Sequence, residues 1–484
     1  MKKTIVSTIG LLFVMLSLSA QNYTADWPSL NKRGVPEWFN QSKFGIFIHW
    51  GVYAVPSYAV VGDGGYSEWY WHNLRAKKEG KNAKLQAFHD KEYGKDFPYE
   101  KFESQFTASL FDPAQWADVF RRSGARYVVL TSKHHEGYCL WDNKQANESW
   151  GHSWNAVTGT PKRDLLGDLT TEVRKAGLRM GYYYSLYEWY NPLWLKDKKK
   201  YVDEVMIPQF KDLVTRYKPS VIFSDGEWEL SDTAWRSTEL LAWLYNESPV
   251  KDEVAVDDRW GKKTRGKNNG ATYFTSEYGS GMQPGVAWEE SQGIGYSYGY
   301  NRMENVNDYK KSSDLIILLV DIVARGGNLL LDIGPTADGR IPVIMQQKLI
   351  DMGAWLTTNG EAIYDTKAWK ETRQWSAGKR PEVKEANYMA KYDIAKMVQP
   401  SKENANIEMF FTQKPGALYC IVTNFQEQLR IKNYTLPKNA ALSILGCNKA
   451  IRGQQQGKDV VINLSGMRPG DIPHDMFVVK IAGK

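Results

Sequence analysis

Two adjacent histidines mark an unusual segment of a chain that has only 7 histidines among its 484 residues. They belong to the stretch KHHEGYCLWDN, which starts at Lys133 and adds a glutamate, a tyrosine and a tryptophan. No HxH or HExxH pattern supplies the further ligands that a zinc site needs, so we predict no metal. His134 and His135 instead suit hydrogen bonding to the hydroxyl groups of a sugar. Further side chains suited to this task are Glu68, Trp69, Trp141 and Tyr184.

Two carboxylates are the other candidates for chemistry. Glycoside hydrolysis needs one carboxyl group that attacks the anomeric carbon or activates water, and a second that protonates the leaving oxygen. Asp225 in FSDGE and Glu277 in TSEYG follow different apolar runs of the sequence. Carboxylates from two different strands can face each other across a substrate, so this pair could act on a glycosidic bond.

Short apolar runs precede most of these polar residues. Continuous apolar, β-branched or aromatic segments occur at FGIFIHWG, YVVLTSKHH, LRMGYYYS, SVIFSDGE, VAVDDRW, TYFTSEYG and NLLLDIGP, as expected for strands buried on both faces. Amphipathic stretches separate them; in FDPAQWADVFRRSGA, Asp112 is the predicted N-cap and Pro113 the first helical residue. Strands and helices that alternate over about 300 residues predict parallel βα units, and their number favours a closed (β/α)8-like, TIM-type barrel.

In such a barrel the carboxyl ends of the strands share one rim, where active sites lie. Six predicted strands carry polar residues at that end: His49, His134 with His135, Tyr184 with Ser185, Asp225, Arg259 and Glu277. Taken singly, Asp225 could cap the next helix and Tyr184 could be a core residue. The coincidence of such residues at six strand ends favours a functional site.

The two ends of the chain follow other patterns. Residues 1–20 combine two lysines, an apolar run and the small residues of SLSA, which predicts a cleaved signal peptide and a periplasmic or secreted protein. No later stretch is long and apolar enough to span a bilayer, so we expect no membrane insertion of the mature chain. After a predicted barrel domain over residues 21–365, short alternating runs broken by Gly, Pro and Asn predict an antiparallel β-sandwich over residues 366–484.

Composition narrows the classes of ligand. The net charge of +7 arises from 62 basic and 55 acidic residues spread along the chain, so nucleic acid is not a predicted partner. Three cysteines allow at most one disulfide bond. The 19 tryptophans and 28 tyrosines suit either a large aromatic core or the binding of sugar rings, whose faces pack on aromatic side chains.

Several ordered motifs resemble the α-L-fucosidases of glycoside hydrolase family 29. They include KFGIFIHWGVYAVPSYA, TSKHHEGYCLWDN, FSDGEWE, DDRWG, WEESQGIGYSYGYN and GGNLLLDIGPTADGRIP, and together they run from about residue 35 to residue 365. The resemblance implies a βα barrel followed by a β-sandwich. It also implies retaining hydrolysis through a covalent fucosyl-aspartate, without a cofactor.

The resemblance also implies roles for individual residues. Asp225 would be the nucleophile, and the acid/base would be Glu277, with Glu289 in WEES as the alternative. The fucose would be held by His49, Glu68, Trp69, His134, His135, Tyr184 and Arg259. One departure is Phe223, where some members carry a tryptophan; we expect this change to alter the packing beside the nucleophile and not the chemistry.

The proposed roles set electrostatic requirements. Asp225 must stay ionised, for which we expect hydrogen bonds from Tyr184 or Arg259. The acid must stay protonated near neutral pH, which a drier setting beside aromatic residues such as Tyr273, Phe274 and Tyr278 would favour. The expected substrates are fucosylated oligosaccharides or glycoconjugates. The alternative is a non-catalytic fucose-binding protein, which would have the same pocket but a misplaced acid.

Overall fold

The computed structural model describes residues 22–62, 64–279, 281–282, 284–381, 393–401 and 403–483. The predicted signal peptide, residues 1–20, lies outside the described residues. Among those that are described, no helix combines the length and the apolar character needed to cross a membrane.

Eight parallel strands form the first part of the fold. They are β1 (Phe44–Ile48), β2 (Tyr127–Lys133), β3 (Arg179–Ser185), β4 (Val221–Asp225), β5 (Ala255–Val256), β6 (Phe274–Glu277), β7 (Trp288–Gly293) and β8 (Asn328–Ile333). Their order in the sheet is β5-β4-β3-β2-β1-β8-β7-β6. An isolated parallel bridge between Asp257 and Tyr273 links the two edge strands, and the Tyr273 amide donates to the Val256 carbonyl at 2.9 Å.

Helices alternate with these strands and cover the outside of the sheet. The α-helices are α1 (Trp27–Leu30), α2 (Glu37–Ser42), α3 (Tyr70–Arg75), α4 (Gly80–Glu92), α5 (Pro113–Arg122), α6 (Lys144–Trp150), α7 (Leu165–Lys175), α8 (Pro192–Lys196), α9 (Lys198–Tyr201), α10 (Ile207–Tyr217), α11 (Asp232–Trp235), α12 (Ser237–Asn246), α13 (Ser312–Ala324), α14 (Val343–Asn359) and α15 (Ile394–Met397).

Helix α5 shows how the sequence sets these boundaries. As predicted, Asp112 caps it, because the carboxylate accepts the amides of Ala114 and Gln115 at 3.0 Å. Trp116 and Phe120 are buried in the apolar core of the barrel. The cap satisfies free amides at the start of the helix, and the buried aromatic face holds the helix on the barrel.

Two antiparallel sheets follow the barrel. The strands are β9 (Lys367–Trp375), β10 (Ile407–Lys414), β11 (Ala417–Val422), β12 (Gln428–Ile431), β13 (Ala441–Ile444), β14 (Arg452–Gln456), β15 (Asp459–Asn463) and β16 (Phe477–Ala482). One sheet has the order β13-β16-β11-β10-β9 and the other β12-β15-β14. A shared apolar core that includes Phe411, Leu429, Val460 and Val479 lies among their strands. A parallel barrel followed by antiparallel sheets confirms the predicted fold class.

The barrel and the sheets pack on each other through α13 and α14. Phe410 and Tyr419 belong to the same apolar cluster as the barrel core. Arg373 of β9 donates to the buried Asp321 of α13 at 2.7 Å, and the Trp355 indole of α14 donates to the Met476 carbonyl at 2.8 Å. The sheets therefore cover these two helices of the barrel.

Candidate active site

The carboxyl ends of the barrel strands surround a cavity of about 300 Å³. His49 directly follows β1, His134 follows β2, Asp225 ends β4 and Glu277 ends β6. All four side chains line the cavity. The other predicted residues on its wall are Glu68, Trp69 and Arg259. The wall also contains residues that were not predicted from the sequence, including Tyr66, Tyr183, Trp228, Ser291 and Tyr298.

Asp225 is held by a cation on one oxygen and a hydroxyl on the other. Arg259 donates from Nη1 to Oδ1 at 3.0 Å, and Tyr183 donates its hydroxyl to Oδ2 at 2.8 Å. Burial opposes ionisation of this carboxyl, but the Arg259 guanidinium and the His135 imidazole hold its pKa well below the usual range. Asp225 is therefore a carboxylate at neutral pH, in the state that a nucleophile requires.

Arg259 also connects Asp225 to the second carboxylate. Its Nη2 donates to Glu277 Oε2 at 3.1 Å, while its Nε donates to the Thr275 hydroxyl at 3.1 Å. The guanidinium carbon lies 4.7 Å from the centre of the Phe223 ring. The planar Arg259 guanidinium thus holds the carboxylates of Asp225 and Glu277 on either side of it, and the Phe223 ring packs against it.

The structure corrects the prediction for Tyr184. The Tyr184 hydroxyl donates to Gln209 Oε1 at 2.8 Å and to the Met206 carbonyl at 3.1 Å, in the helix layer outside the barrel. The neighbouring Tyr183 faces the cavity and takes the place beside Asp225 that was expected for Tyr184. The reason is the alternation of side chains along β3, which sends adjacent residues to opposite faces.

Trp141, another residue considered from the sequence, is also outside the cavity. It is fully buried, and its indole donates to Asp212 of α10 at 3.0 Å. Its aromatic surface therefore belongs to the core between the sheet and the helices.

His135 lies behind Asp225 and is not among the residues that line the cavity. Its Nε2 is 3.4 Å from Asp225 Oδ2, and its Nδ1 is 2.6 Å from the Ser185 hydroxyl. Burial, together with the adjacent His134, lowers the pKa of this imidazole to about 3, so His135 is neutral. It therefore supports the Asp225 carboxylate, and its role in binding the sugar stays a prediction.

His49 forms a pair with a carboxyl group that sequence reasoning did not identify. Its Nδ1 lies 2.6 Å from Oδ1 of Asp332, a buried residue of β8. Burial raises the pKa of Asp332 well above its usual range and lowers that of His49 well below. The ring of Tyr298 stacks on His49 with 4.8 Å between the ring centres. His49 is therefore a fixed, neutral hydrogen-bonding group on the cavity wall.

His134 has a similar arrangement with Glu136. Its Nδ1 lies 3.4 Å from Glu136 Oε2, and both residues are buried. Within the described ranges, neither carboxyl oxygen of Glu136 has a hydrogen-bond partner. The carboxyl group thus faces the Nδ1 edge of the imidazole, which leaves the Nε2 edge for a ligand.

Glu68 and Trp69 come from a short 3-10 turn, Ser67–Trp69, which follows the loop after β1. Glu68 is buried, and its Oε2 accepts the Gly299 amide at 2.9 Å and the Ser297 hydroxyl at 3.3 Å. These two donors come from the loop after β7. The contact therefore joins the two loops at the cavity and fixes the Glu68 carboxyl on its wall.

Glu289 does not reach the cavity. It is fully buried on β7, accepts the Tyr127 hydroxyl inside the barrel, and lies in the register opposite Thr275. Burial raises its pKa to about 8. Its carboxyl is protonated near neutral pH but has no access to a leaving group in the cavity, whereas Glu277 has that access.

No cluster of three or more histidine, cysteine or acidic side chains in the described part of the chain has the geometry to hold a metal ion. The buried carboxyl groups near the cavity each face an imidazole, a hydroxyl or a guanidinium. The groups available for chemistry at this site are therefore carboxyl groups, imidazoles, tyrosine hydroxyls and guanidinium groups.

Comparisons with known proteins agree on one class. The family model for alpha-L-fucosidase matches residues 11–361. The alpha-L-fucosidase of Dictyostelium discoideum is 45% identical over 368 residues, covering 74% of this chain and 78% of that protein. The tissue alpha-L-fucosidase of Homo sapiens is 38% identical over 474 residues, covering 96% and 92%.

Solved structures show the same likeness. Thermotoga maritima alpha-fucosidase superposes with a TM-score of 0.75 at 33% identity, covering 95% of this chain and all (100%) of that one. A Thermotoga maritima alpha-L-fucosynthase in complex with alpha-L-Fuc-(1-2)-beta-L-Fuc-N3 superposes with a TM-score of 0.77 at 33% identity, covering 96% and 100%.

Proposed function

This chain belongs to the α-L-fucosidase family and is a glycoside hydrolase, and we propose that it removes terminal α-L-fucosyl residues with retention of configuration, through a fucosyl-Asp225 intermediate. The proposal rests on one observation above all. Arg259 bonds Asp225 and Glu277 at the wall of the same cavity, at 3.0 and 3.1 Å. Glycoside hydrolysis requires two carboxyl groups at one sugar-sized site, and a single guanidinium that bonds both keeps them close together, which favours the retaining mechanism.

In the first step, an oxygen of Asp225 attacks the anomeric carbon while the bond to the leaving oxygen breaks. Glu277 gives its proton to that oxygen, so the alcohol leaves neutral. To act as an acid, Glu277 must first take up a proton and give up its contact with Arg259. In the second step, Glu277 takes a proton from water, and the hydroxide oxygen replaces Asp225 on the anomeric carbon.

The cavity wall supports exo action on fucose. A volume of about 300 Å³ suits one pyranose ring, so the rest of a glycan would lie outside. We assign the binding of the fucose hydroxyls to His49, Glu68, Trp69, His134 and Arg259, all on the wall. Tyr183 and His135 keep the nucleophile ionised and oriented. All these residues fall within the predicted barrel domain, residues 21–365. Export of the protein to the periplasm or the outside of the cell is a separate proposal, based on its N-terminal sequence.

Trapping the intermediate tests this proposal. A 2-deoxy-2-fluoro-fucosyl fluoride should lose its anomeric fluoride and leave a 2-deoxy-2-fluorofucosyl group on the peptide that contains Asp225, detectable by mass spectrometry. Asp225→Ala should take up no label and lose activity by about 10³-fold or more on every α-L-fucoside.

Proton NMR of the wild-type reaction provides an independent check. The α-anomer of fucose should appear first, because two inversions restore the configuration. If the β-anomer appears first, the enzyme inverts and Asp225 is not a covalent nucleophile. Binding of fucose without turnover would favour the non-catalytic alternative.

A further inference from the structure

Two tyrosines continue the cavity wall outward from Glu277. Tyr66 lines the cavity, and its ring centre lies 6.2 Å from that of Tyr278 with an angle of 24° between the planes. The Tyr278 ring in turn lies 5.1 Å from that of Tyr298, which is also on the cavity wall. Tyr66 and Tyr278 are both half-buried. An aromatic surface therefore extends from the sugar cavity towards solvent, on the side of the second carboxylate.

The position of Tyr278 is enforced by its surroundings. It directly follows Glu277 and has a φ of 49°, in the left-handed region that residues other than glycine rarely adopt. Its amide donates to the Ser291 carbonyl, and its hydroxyl accepts the Gly293 amide and donates to the Tyr296 carbonyl, each at 3.1 Å. A Cβ at residue 293 would lie 2.5 Å from that hydroxyl, so the glycine makes room for it.

The chemistry of retention fixes where the rest of the glycan goes. Asp225 attacks one face of the anomeric carbon, and the leaving oxygen departs from the opposite face, within reach of Glu277. The sugar attached to fucose therefore lies on the Glu277 side. Another aromatic residue on the wall, Trp228, follows β4 on the Asp225 side and packs towards Trp69, with 6.4 Å between their ring centres.

We propose that Tyr66 and Tyr278 form a subsite for the pyranose ring to which the fucose is attached, a hexose or N-acetylhexosamine whose C–H face packs on the two rings. The inference rests on the proposed function, because it takes the leaving group from the position of Glu277. Tyrosine suits this task, since its ring offers an apolar face while its hydroxyl is bonded. The strain at Tyr278 is the cost of holding that face beside the acid.

The experiment compares two substrates that differ only in the leaving group. A fucosyl disaccharide places a pyranose in the subsite, whereas α-L-fucosyl fluoride places nothing there. In Tyr66→Leu and in Tyr278→Leu, the ratio of kcat/KM for the disaccharide to that for the fluoride should fall about tenfold, the value of one aromatic contact. Tyr278→Phe, which keeps the ring, should change the ratio by less than about threefold.

Either of two results for the substrate ratio would overturn the subsite. One is an unchanged ratio in both leucine variants. The other is a fall of the ratio in Trp228→Leu in place of the tyrosine variants, which would put the sugar on the Asp225 side. Rescue of Tyr278→Leu by azide would also count against the subsite, since it would mean that the variant acts by displacing Glu277. Failure of the proposed function is separate, because it would appear as β-fucose release or as an active Asp225→Ala.

Discussion

The adjacent residues Tyr183 and Tyr184 offer a sharp test of how β3 builds the site. The Tyr183 hydroxyl donates to the Asp225 carboxylate at 2.8 Å, while that of Tyr184 donates to Gln209 and to the Met206 carbonyl outside the barrel. The substitutions Tyr183→Phe and Tyr184→Phe each remove one hydroxyl and leave the packing of the ring unchanged. We expect the first to damage catalysis and the second to damage stability.

The size of each effect follows from the partner that is lost. A hydrogen bond to a charged group contributes about 1.5–3 kcal/mol, so Tyr183→Phe should lower kcat/KM roughly 10- to 100-fold. Arg259 still bonds Asp225, so the carboxylate stays ionised at neutral pH. Its pKa nevertheless rises towards the usual value, because a donor to the charged form is gone. Activity that needs the ionised form should therefore be lost at a higher pH as the solution is acidified.

Tyr184→Phe leaves the buried Gln209 oxygen without a donor. An unsatisfied buried polar group costs about 1–3 kcal/mol, which should lower the midpoint of denaturant unfolding, while kcat/KM changes less than about threefold. Hydrolysis of an aryl α-L-fucoside across the pH range and unfolding in guanidinium measure the two effects on the same proteins. The reasoning fails if Tyr184→Phe loses at least as much kcat/KM as Tyr183→Phe does.

Two further predictions concern the acid/base and the histidines. Glu277→Ala should lose far more activity on an oligosaccharide than on a dinitrophenyl fucoside. Azide should restore turnover of this variant and give an α-fucosyl azide as the product. Glu289→Ala should show a smaller loss of activity that does not depend on the leaving group. If only Glu289→Ala shows the leaving-group dependence and the rescue, the assignment of Glu277 is wrong. His135→Ala should lower kcat/KM through Asp225 with no response to added metal, and a chelator should not inhibit the wild type. Loss of activity with a chelator and its return with zinc would contradict the metal-free site.

The sequence predicted the strands whose residues are apolar, because burial on both faces requires a continuous apolar run. It did not predict β7, Trp288–Gly293, whose sequence WEESQG is polar although all six residues are buried. Inside this barrel, Glu289 accepts a tyrosine hydroxyl and Glu290 accepts the Gly279 amide at 2.9 Å. Polar residues that find partners only in the folded state break the hydrophobic pattern from which a strand is predicted.

The wall of the site was predictable where residues directly end a strand, as for His49, Asp225 and Glu277. The error at Tyr184 was a shift by one residue, which in a strand reverses the face. The register pairs Tyr183 with Phe223 and Ser185 with Asp225. Phe223 lies two residues before Asp225 on β4, so the two side chains point to the same face of the sheet. Tyr183, the partner of Phe223, lies on that face as well. Once Ser185 is known to pair with Asp225, the residue two before Ser185 on β3 is Tyr183, the tyrosine that shares the face of Asp225.

Partners that are far apart in the sequence were not predictable in this way. Asp332 lies 283 residues from His49, and no local pattern relates them. The loop after β7 similarly brings the Gly299 amide to Glu68. Such pairs arise from closure of the barrel, which sets β8 beside β1, so they become visible only when the order of the strands is known.

These distant partners explain how several buried carboxyl groups can occupy one site with different charges. Burial raises the pKa of Glu68 and of Asp332, whereas Arg259 and His135 hold that of Asp225 well below its usual range. Asp332 faces the imidazole of His49, and the two groups together form a neutral pair when Asp332 keeps its proton. Because environments that separate the pKa values of neighbouring carboxyl groups also separate their roles, the contacts with both Arg259 and His135 suit Asp225 to the proposed role of anionic nucleophile, and they leave Glu68 on the cavity wall to bind a hydroxyl group.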